Sequence, residues 1–122
     1  VTEDWLKELD IAAENATIPA SNLSGGNQQR IVLAKWLATH PKLLILNCPT
    51  VGVDVGSKQQ IHQVIKSLAR KGIGIIVISD DIGEIVTLCN RILVMKKGEV
   101  RREVLSSTVT AEELEQYLIS AE

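Results

Sequence analysis

Apolar residues along this chain alternate between two spacings. From Gln28 to Thr39, the residues Ile31, Leu33, Ala34, Leu37 and Ala38 recur at the interval of one helix face, and His40-Pro41 ends the run because a residue before proline avoids helical backbone. Leu43-Leu44-Ile45-Leu46 is a continuous apolar block that predicts a buried strand, with Asn47, Cys48, Pro49 and Thr50 at its C-terminal end. Helical spacing returns from Gly56 to Lys71, with Ile61, Val64, Ile65 and Leu68 on one stripe, a basic last turn at Arg70-Lys71, and Gly72 as the stop. Ile75-Ile76-Val77-Ile78 is a β-branched run of the kind found in strands covered on both faces. Strand, helix and strand in this order predict a βαβ unit with parallel strands and a right-handed crossover.

Local signals complete the outline. Asp4 to Leu9 reads as the end of a helix, and Ile11 to Asn22, containing Pro19, as a connecting loop. Asp81 with Glu84 forms a capping box for a short helix ending near Cys89. Arg91–Met95, Lys97-Gly98 and Val100–Val104 read as a hairpin with a tight glycine turn. Thr110 with Glu113 is a second capping box, opening a last helix to about Ser120 whose Leu114, Tyr117 and Leu118 are expected to dock. The fold class is α/β, with parallel strands covered by helices, then a C-terminal hairpin and helix. This is part of a nucleotide-binding fold rather than all of one.

Composition narrows the function. With 122 residues, the chain has one domain's worth of length. Thirteen basic against fifteen acidic residues, two tryptophans, one tyrosine and no phenylalanine leave neither a basic face nor a stacking platform, which counts against nucleic acid as a partner. The longest apolar run, Gly74 to Ile78, is far short of a membrane span, and nothing at the N-terminus resembles a signal sequence. Cys48 and Cys89 lack metal-ligand spacing and read as buried free thiols in a reducing compartment. The start at Val1 leads to the expectation of a longer parent chain.

The candidate chemistry lies in Leu23-Ser24-Gly25-Gly26-Asn27-Gln28-Gln29, immediately before the first periodic helix. Ser24 can cap that helix or turn its hydroxyl outward, and the paired glycines let the backbone approach a ligand. The N–H groups and positive dipole end of the helix favour phosphate. Taken alone, the same residues also make an ordinary loop and cap. Gln28 and Gln29 are expected to be exposed on the first helical turn. His40 and His62 stand beside no nucleophile or ligand cluster and read as a helix-end and a solvent-facing side chain. Trp5 and Trp36 read as core or interface anchors, and Arg101-Arg102 as a solvated pair.

The order of these blocks resembles the ATP-binding cassette (ABC) ATPases, and specifically the fused two-cassette subunits that energise uptake of ribose, galactose and similar simple sugars. Leu23 to Gln29 looks like the cassette signature, in the Gly-Gly-Asn-Gln-Gln form similar to the sugar importers. Leu43 to Thr50 looks like the Walker B strand, Val51-Gly52-Val53-Asp54 like the D-loop, and Ile75 to Asp81 like the strand entering the switch region. The resemblance implies a P-loop NTPase core, of which residues 1–22 are the tail of the helical subdomain and linker and residues 23–122 the C-terminal part. The Walker A portion is missing, since no G-x-x-x-x-G-K-[ST] occurs in these residues.

Departures from the pattern carry as much information. The family's Walker B strand ends in aspartate and glutamate, where this chain has Asn47 and Cys48. An amide brings no negative charge to Mg²⁺ at the metal position, and a neutral thiol is poorly suited to polarise an attacking water. Loss of general-base help alone removes on the order of 10²–10⁴ in rate. The switch histidine is replaced by Asp80.

In the family each ATP lies between the Walker A of one cassette and the signature of the other. The resemblance therefore implies that Ser24, Gly25, Gly26, Asn27 and Gln28 serve ATP in trans and that Asp54 meets the opposite cassette, while this cassette's own hydrolytic site is degenerate. Asp54 also has a plainer reading, as a loop carboxylate. ATP and Mg²⁺ belong to the assembled transporter, and none is expected on the isolated chain. The implied partners are a second cassette and a membrane permease, with the chain cytoplasmic and peripheral to the membrane. An unpaired sheet edge also invites self-association. Two alternatives are a non-hydrolytic regulatory domain of the same fold and a DNA-repair type ABC ATPase. The second would be expected to carry heptad segments and a basic face.

Overall fold

The computed structural model describes residues 25–120 together with Asp4 and Lys7. Asp4 and Lys7 are helical, while the rest of the expected N-terminal helix, the loop 11–22 and Ser24 lie outside the described residues. Two compact units result, one up to Ile76 and one from Val77 onward.

In the first unit α1 spans Gly25–Leu37, β1 Leu43–Asn47 and α2 Val55–Arg70, and β2, Gly74–Ile78, runs out of it. Helix α1 starts at the glycines themselves, three residues earlier than its apolar periodicity suggests. After α1, Thr39 and His40 donate N–H bonds back to the Trp36 and Leu37 carbonyls, and His40 takes φ 52°. That left-handed residue closes the helix as glycine commonly does, here directly before Pro41. Helix α2 ends as predicted, with Gly72 at φ 96°. Strands β1 and β2 pair side by side and in parallel, Gly74 N–H bonding to the Lys42 carbonyl. The buried hydrophobic core comprises Leu33 and Leu37 of α1, Leu44 and Leu46 of β1, and Ile61, Ile65 and Leu68 of α2.

One expectation fails here. Neither strand is covered on both faces: Leu43, Ile45, Ile76 and Ile78 are exposed. A Cβ on Gly74 would meet Leu43 Cδ1 at 3.4 Å, so alternate residues of the two strands share this open face. Both strands carry the composition of a sheet buried on two sides, yet the described residues bury only one.

The second unit contains α3 (Ile82–Leu88), β3 (Arg91–Lys96), β4 (Glu99–Leu105), a 3₁₀ turn (Ser106–Thr108) and α4 (Ala111–Ser120). Strands β3 and β4 form the predicted antiparallel hairpin around Lys97 and Gly98, at φ 52° and 79°. Positive φ at both central residues is the type I′ turn that matches strand twist. A bulge between Val94 and Met95 leaves Arg101 without a partner position. Both predicted caps are present. Thr110 N–H donates to Glu113 Oε2 at 2.8 Å and Glu113 N–H returns to Thr110 Oγ1 at 3.2 Å. At α3 the box is relayed: Glu84 N–H bonds Asp81 Oδ1 at 3.0 Å, but Glu84 Oε2 accepts from the Ser79 hydroxyl at 2.7 Å, and Ser79 Oγ accepts from Asp81 N–H at 3.1 Å.

Ile92, Val94, Val109 and Leu114 form the core of this unit, with Tyr117 packed against it; Leu118, expected to dock, is exposed. Arg101 and Arg102 are exposed, as expected of a solvated pair, and each also has a neighbour. Arg101 bonds Glu99 at 2.9 Å, and the Arg102 guanidinium lies 4.0 Å from the Tyr117 ring centroid. Cys48 and Cys89 are free but only half-buried, and burial, with Glu84 as the second cause, pushes the Cys89 thiol up.

Candidate functional site

Helix α1 is the element to which the candidate residues lead. Its first turn carries no acidic side chain, and a helix start presents N–H groups with no carbonyl partner inside the helix, so this end suits an anion. Gly25, its first residue, is exposed to solvent and faces the loop after β1. A Cβ there would lie 3.6 Å from the Gly52 carbonyl oxygen and 3.9 Å from Val53 Cγ1. Gly25 does not take the special backbone expected of a cradling glycine, since helical φ suits any residue. Asn27 is buried and Gln28 half-buried.

Between β1 and α2, residues 48–54 make two successive turns. Val51 N–H bonds the Cys48 carbonyl at 3.3 Å and Val53 N–H the Thr50 carbonyl at 3.4 Å. Cys48 takes φ 49° and Gly52 φ 74°. For a cysteine that is uncommon backbone, held here at the end of a strand. Asn47 is exposed, and Pro49 and Thr50 are buried. The loop ends at Asp54, which caps α2: Oδ1 accepts from Ser57 N–H at 2.9 Å and Oδ2 from the Ser57 hydroxyl at 3.1 Å. The capping role is one that the sequence reading missed, although Asp three residues before Ser at a helix start is its usual signal.

These two Ser57 bonds hold the Asp54 carboxyl below its ordinary 3.8, the backbone N–H being the larger cause. A depressed folded value means that the unfolded chain takes up the proton first. The contribution of the cap is therefore complete above the unfolded value and disappears as pH falls through the folded one. Asp54→Ala should accordingly lower the thermal midpoint near neutrality and flatten its acid limb, followed by circular dichroism from about pH 7 to about pH 2. An acid limb identical to that of the parent chain would show that the bond does not contribute.

The structure brings Gly25 together with Gly52 and Val53, and adds a residue that sequence reasoning had placed in solvent. Gln29 is half-buried, and its Nε2 donates to the Pro49 carbonyl at 3.0 Å. Its position could have been found from helical spacing, because Gln29 stands one turn after Gly25 on the same face. Arg30 is 3% exposed and bonds Gln60 Oε1 on α2. His62 is half-buried rather than solvent-facing, and Trp36 is exposed, with Lys35 Nζ 5.5 Å from its ring centroid. Asp80 belongs to the second unit, exposed, immediately before the Asp81 cap. Among the described residues no group of three or more His, Cys, Asp or Glu is placed to hold a metal ion. At the end of β1 stand the amide residue Asn47 and the thiol residue Cys48, with no carboxylate at either position.

A family model described as ABC transporter matches residues 2–51. A ribose import ATP-binding protein of Rhizobium meliloti (strain 1021), RbsA 2, is 43% identical over 112 residues, 92% of this chain and 22% of that protein. The RbsA ribose import ATP-binding protein of Oceanobacillus iheyensis is 41% identical over 94% of this chain and 23% of its own length. The chain belongs to the ATP-binding cassette family.

Solved cassettes agree with this assignment. The dimeric post-hydrolysis structure of the ATP-binding cassette MJ0796, bound to ADP and Pi, superposes with a TM-score of 0.73 at 31% identity over 85% of this chain and 45% of that one. The cbiO1 protein of Clostridium perfringens, part of the ABC transporter complex cbiONQ, gives 0.80 at 28% identity over 98% of this chain and 48% of that one. This cassette chain thus spans about half of a solved cassette and less than a quarter of the curated relatives. Its fold is that of the P-loop NTPases. No helix among the described residues is long and apolar enough to cross a membrane.

Proposed function

We propose that this chain is the C-terminal part of one cassette in the ATP-binding subunit of a simple-sugar importer. It offers the signature residues Ser24, Gly25, Gly26, Asn27 and Gln28 to ATP held by the opposite cassette, and its own hydrolytic positions, Asn47 and Cys48, are degenerate. Asp54 lies at the cassette interface. The assembled protein works with ATP and Mg²⁺ against a membrane permease, at the cytoplasmic face of the membrane. The relatives named for ribose import support the transport reading.

A single contrast carries the division of labour. The start of α1 has no acidic residue in its first turn and suits a phosphate, whereas the end of β1 offers neither a carboxylate for a metal nor a base for water. Asp80 adds an anion at the switch position instead of a histidine.

Restoring the acidic pair tests this directly. In the assembled transporter, Asn47→Asp combined with Cys48→Glu should leave steady-state ATP turnover close to its starting value, because the productive nucleotide lies in the other site. A rise on the order of 10²–10⁴, the usual worth of a general base, would mean that hydrolysis at this cassette was the missing step and that the division is wrong.

A further inference from the structure

We infer that Gln29 is a positioning residue that locks the loop 48–54 to the first turns of α1, so that the signature end of the helix and the end of β1 move as one body. Three observations on the first unit converge on it. The Gln29 amide crosses from α1 to the Pro49 carbonyl at 3.0 Å, joining residues twenty apart in sequence through a part-buried bond. One turn earlier, Gly25 meets the far side of the same loop at Gly52 and Val53. One residue later, the buried Arg30 bonds Gln60 of α2, the helix that Asp54 caps where the loop ends. One stretch of α1 thus reaches the loop near its start and in its middle, and ties to the helix that follows it.

The loop depends on that hold. It contains two left-handed residues, Cys48 and Gly52, and its internal bonds are long, at 3.3 and 3.4 Å. Cys48 is not a residue that stays in such backbone by its own preference, so surrounding contacts must determine it. Pro49 has no N–H to give, and its carbonyl is the one backbone group it can use to anchor the turn. Gln29 supplies the donor. A displacement of the α1 start, such as nucleotide arrival there would cause, is passed through this bond to Pro49 and along the loop to Asp54, which the proposed function places at the cassette interface.

The kinetic half of this inference rests on the proposed function, whereas the structural half does not, and the test keeps them apart. Gln29→Met retains length and packing but loses the donor, and Gln29→Lys restores an N–H of similar reach. In this chain, Gln29→Met should speed amide hydrogen exchange at Val51, Gly52 and Val53 by roughly three- to tenfold, the worth of one hydrogen bond, with α2 amides unchanged. In the assembled transporter the same change should lower kcat with KM for ATP unaltered, and Gln29→Lys should recover both readouts. Unchanged exchange in Gln29→Met overturns the lock, whatever the transporter does. Faster exchange with an unchanged kcat, where Ser24→Arg does stop turnover, overturns the transmission while the proposed function stands. If Ser24→Arg has no effect either, the proposed function fails, and the kinetic half of the inference with it.

Discussion

The expected result of replacing Ser24 with arginine in the assembled transporter is a loss of ATP turnover on the order of 10²–10³ or more. Ser24 immediately precedes Gly25 in the sequence, and α1 begins at Gly25. A helix start stabilises phosphate only if the anion can reach it, and Gly25 is exposed. In the proposed in-trans role, arginine at 24 puts a long cationic side chain where the phosphate is expected and removes the hydroxyl. Charge alone does not compensate, because the lost stabilisation depends on donors fixed beforehand at the position where charge develops. The measurement is steady-state phosphate release from the purified transporter, with Ser24→Ala as a milder companion that loses the hydroxyl without blocking the space. Full activity in Ser24→Arg would remove the in-trans role.

Ile61→Ala should be the most damaging single truncation for stability. Ile61 is 0% exposed on α2, and it lies on the stripe with Ile65 and Leu68. Deleting three carbons from a site closed on all sides loses transfer free energy and leaves a void, together costing about 2–5 kcal/mol. That is a large share of the roughly 5–15 kcal/mol available to a domain of this kind, and this unit already leaves Leu43, Ile45 and Ile76 uncovered. Urea titration followed by circular dichroism should show the midpoint falling sharply in Ile61→Ala and scarcely moving in Leu118→Ala, whose side chain is exposed. A change below about 1 kcal/mol at Ile61 would mean that the first unit contributes little to the measured transition.

Much of the fold was legible because its signals are local. Gly72 and the Lys97-Gly98 turn need positive φ, Thr110 with Glu113 closes its box within one turn, and Asp81 caps α3. The stripe of α2 followed from spacing alone. What escaped the sequence depends on partners distant along the chain. The β-branched run at 75–78 specifies a strand that wants cover on both faces, but it cannot say whether this chain supplies that cover, and Ile76 and Ile78 stand exposed. The relay from Asp81 through Ser79 to Glu84 replaces a direct bond that the residue pattern alone suggests. The site divided in the same way. Its residue types were readable from Gly25 to Asp54, whereas the Gln29 to Pro49 bond and the left-handed Cys48 come from tertiary placement. Asp54 stands out in the sequence by its place in the motif, and its bonds to Ser57 show what holds it there.

In the proposed function, the start of α1 serves a nucleotide belonging to the opposite cassette. The most direct measurement is a structure of the assembled transporter with ATP bound under conditions that prevent hydrolysis. Ser24 Oγ and the Gly26 amide are expected within about 3 Å of the γ-phosphate of an ATP held by the partner's P-loop. A closed, ATP-loaded pair in which Ser24 faces solvent or its own cassette's nucleotide would contradict it.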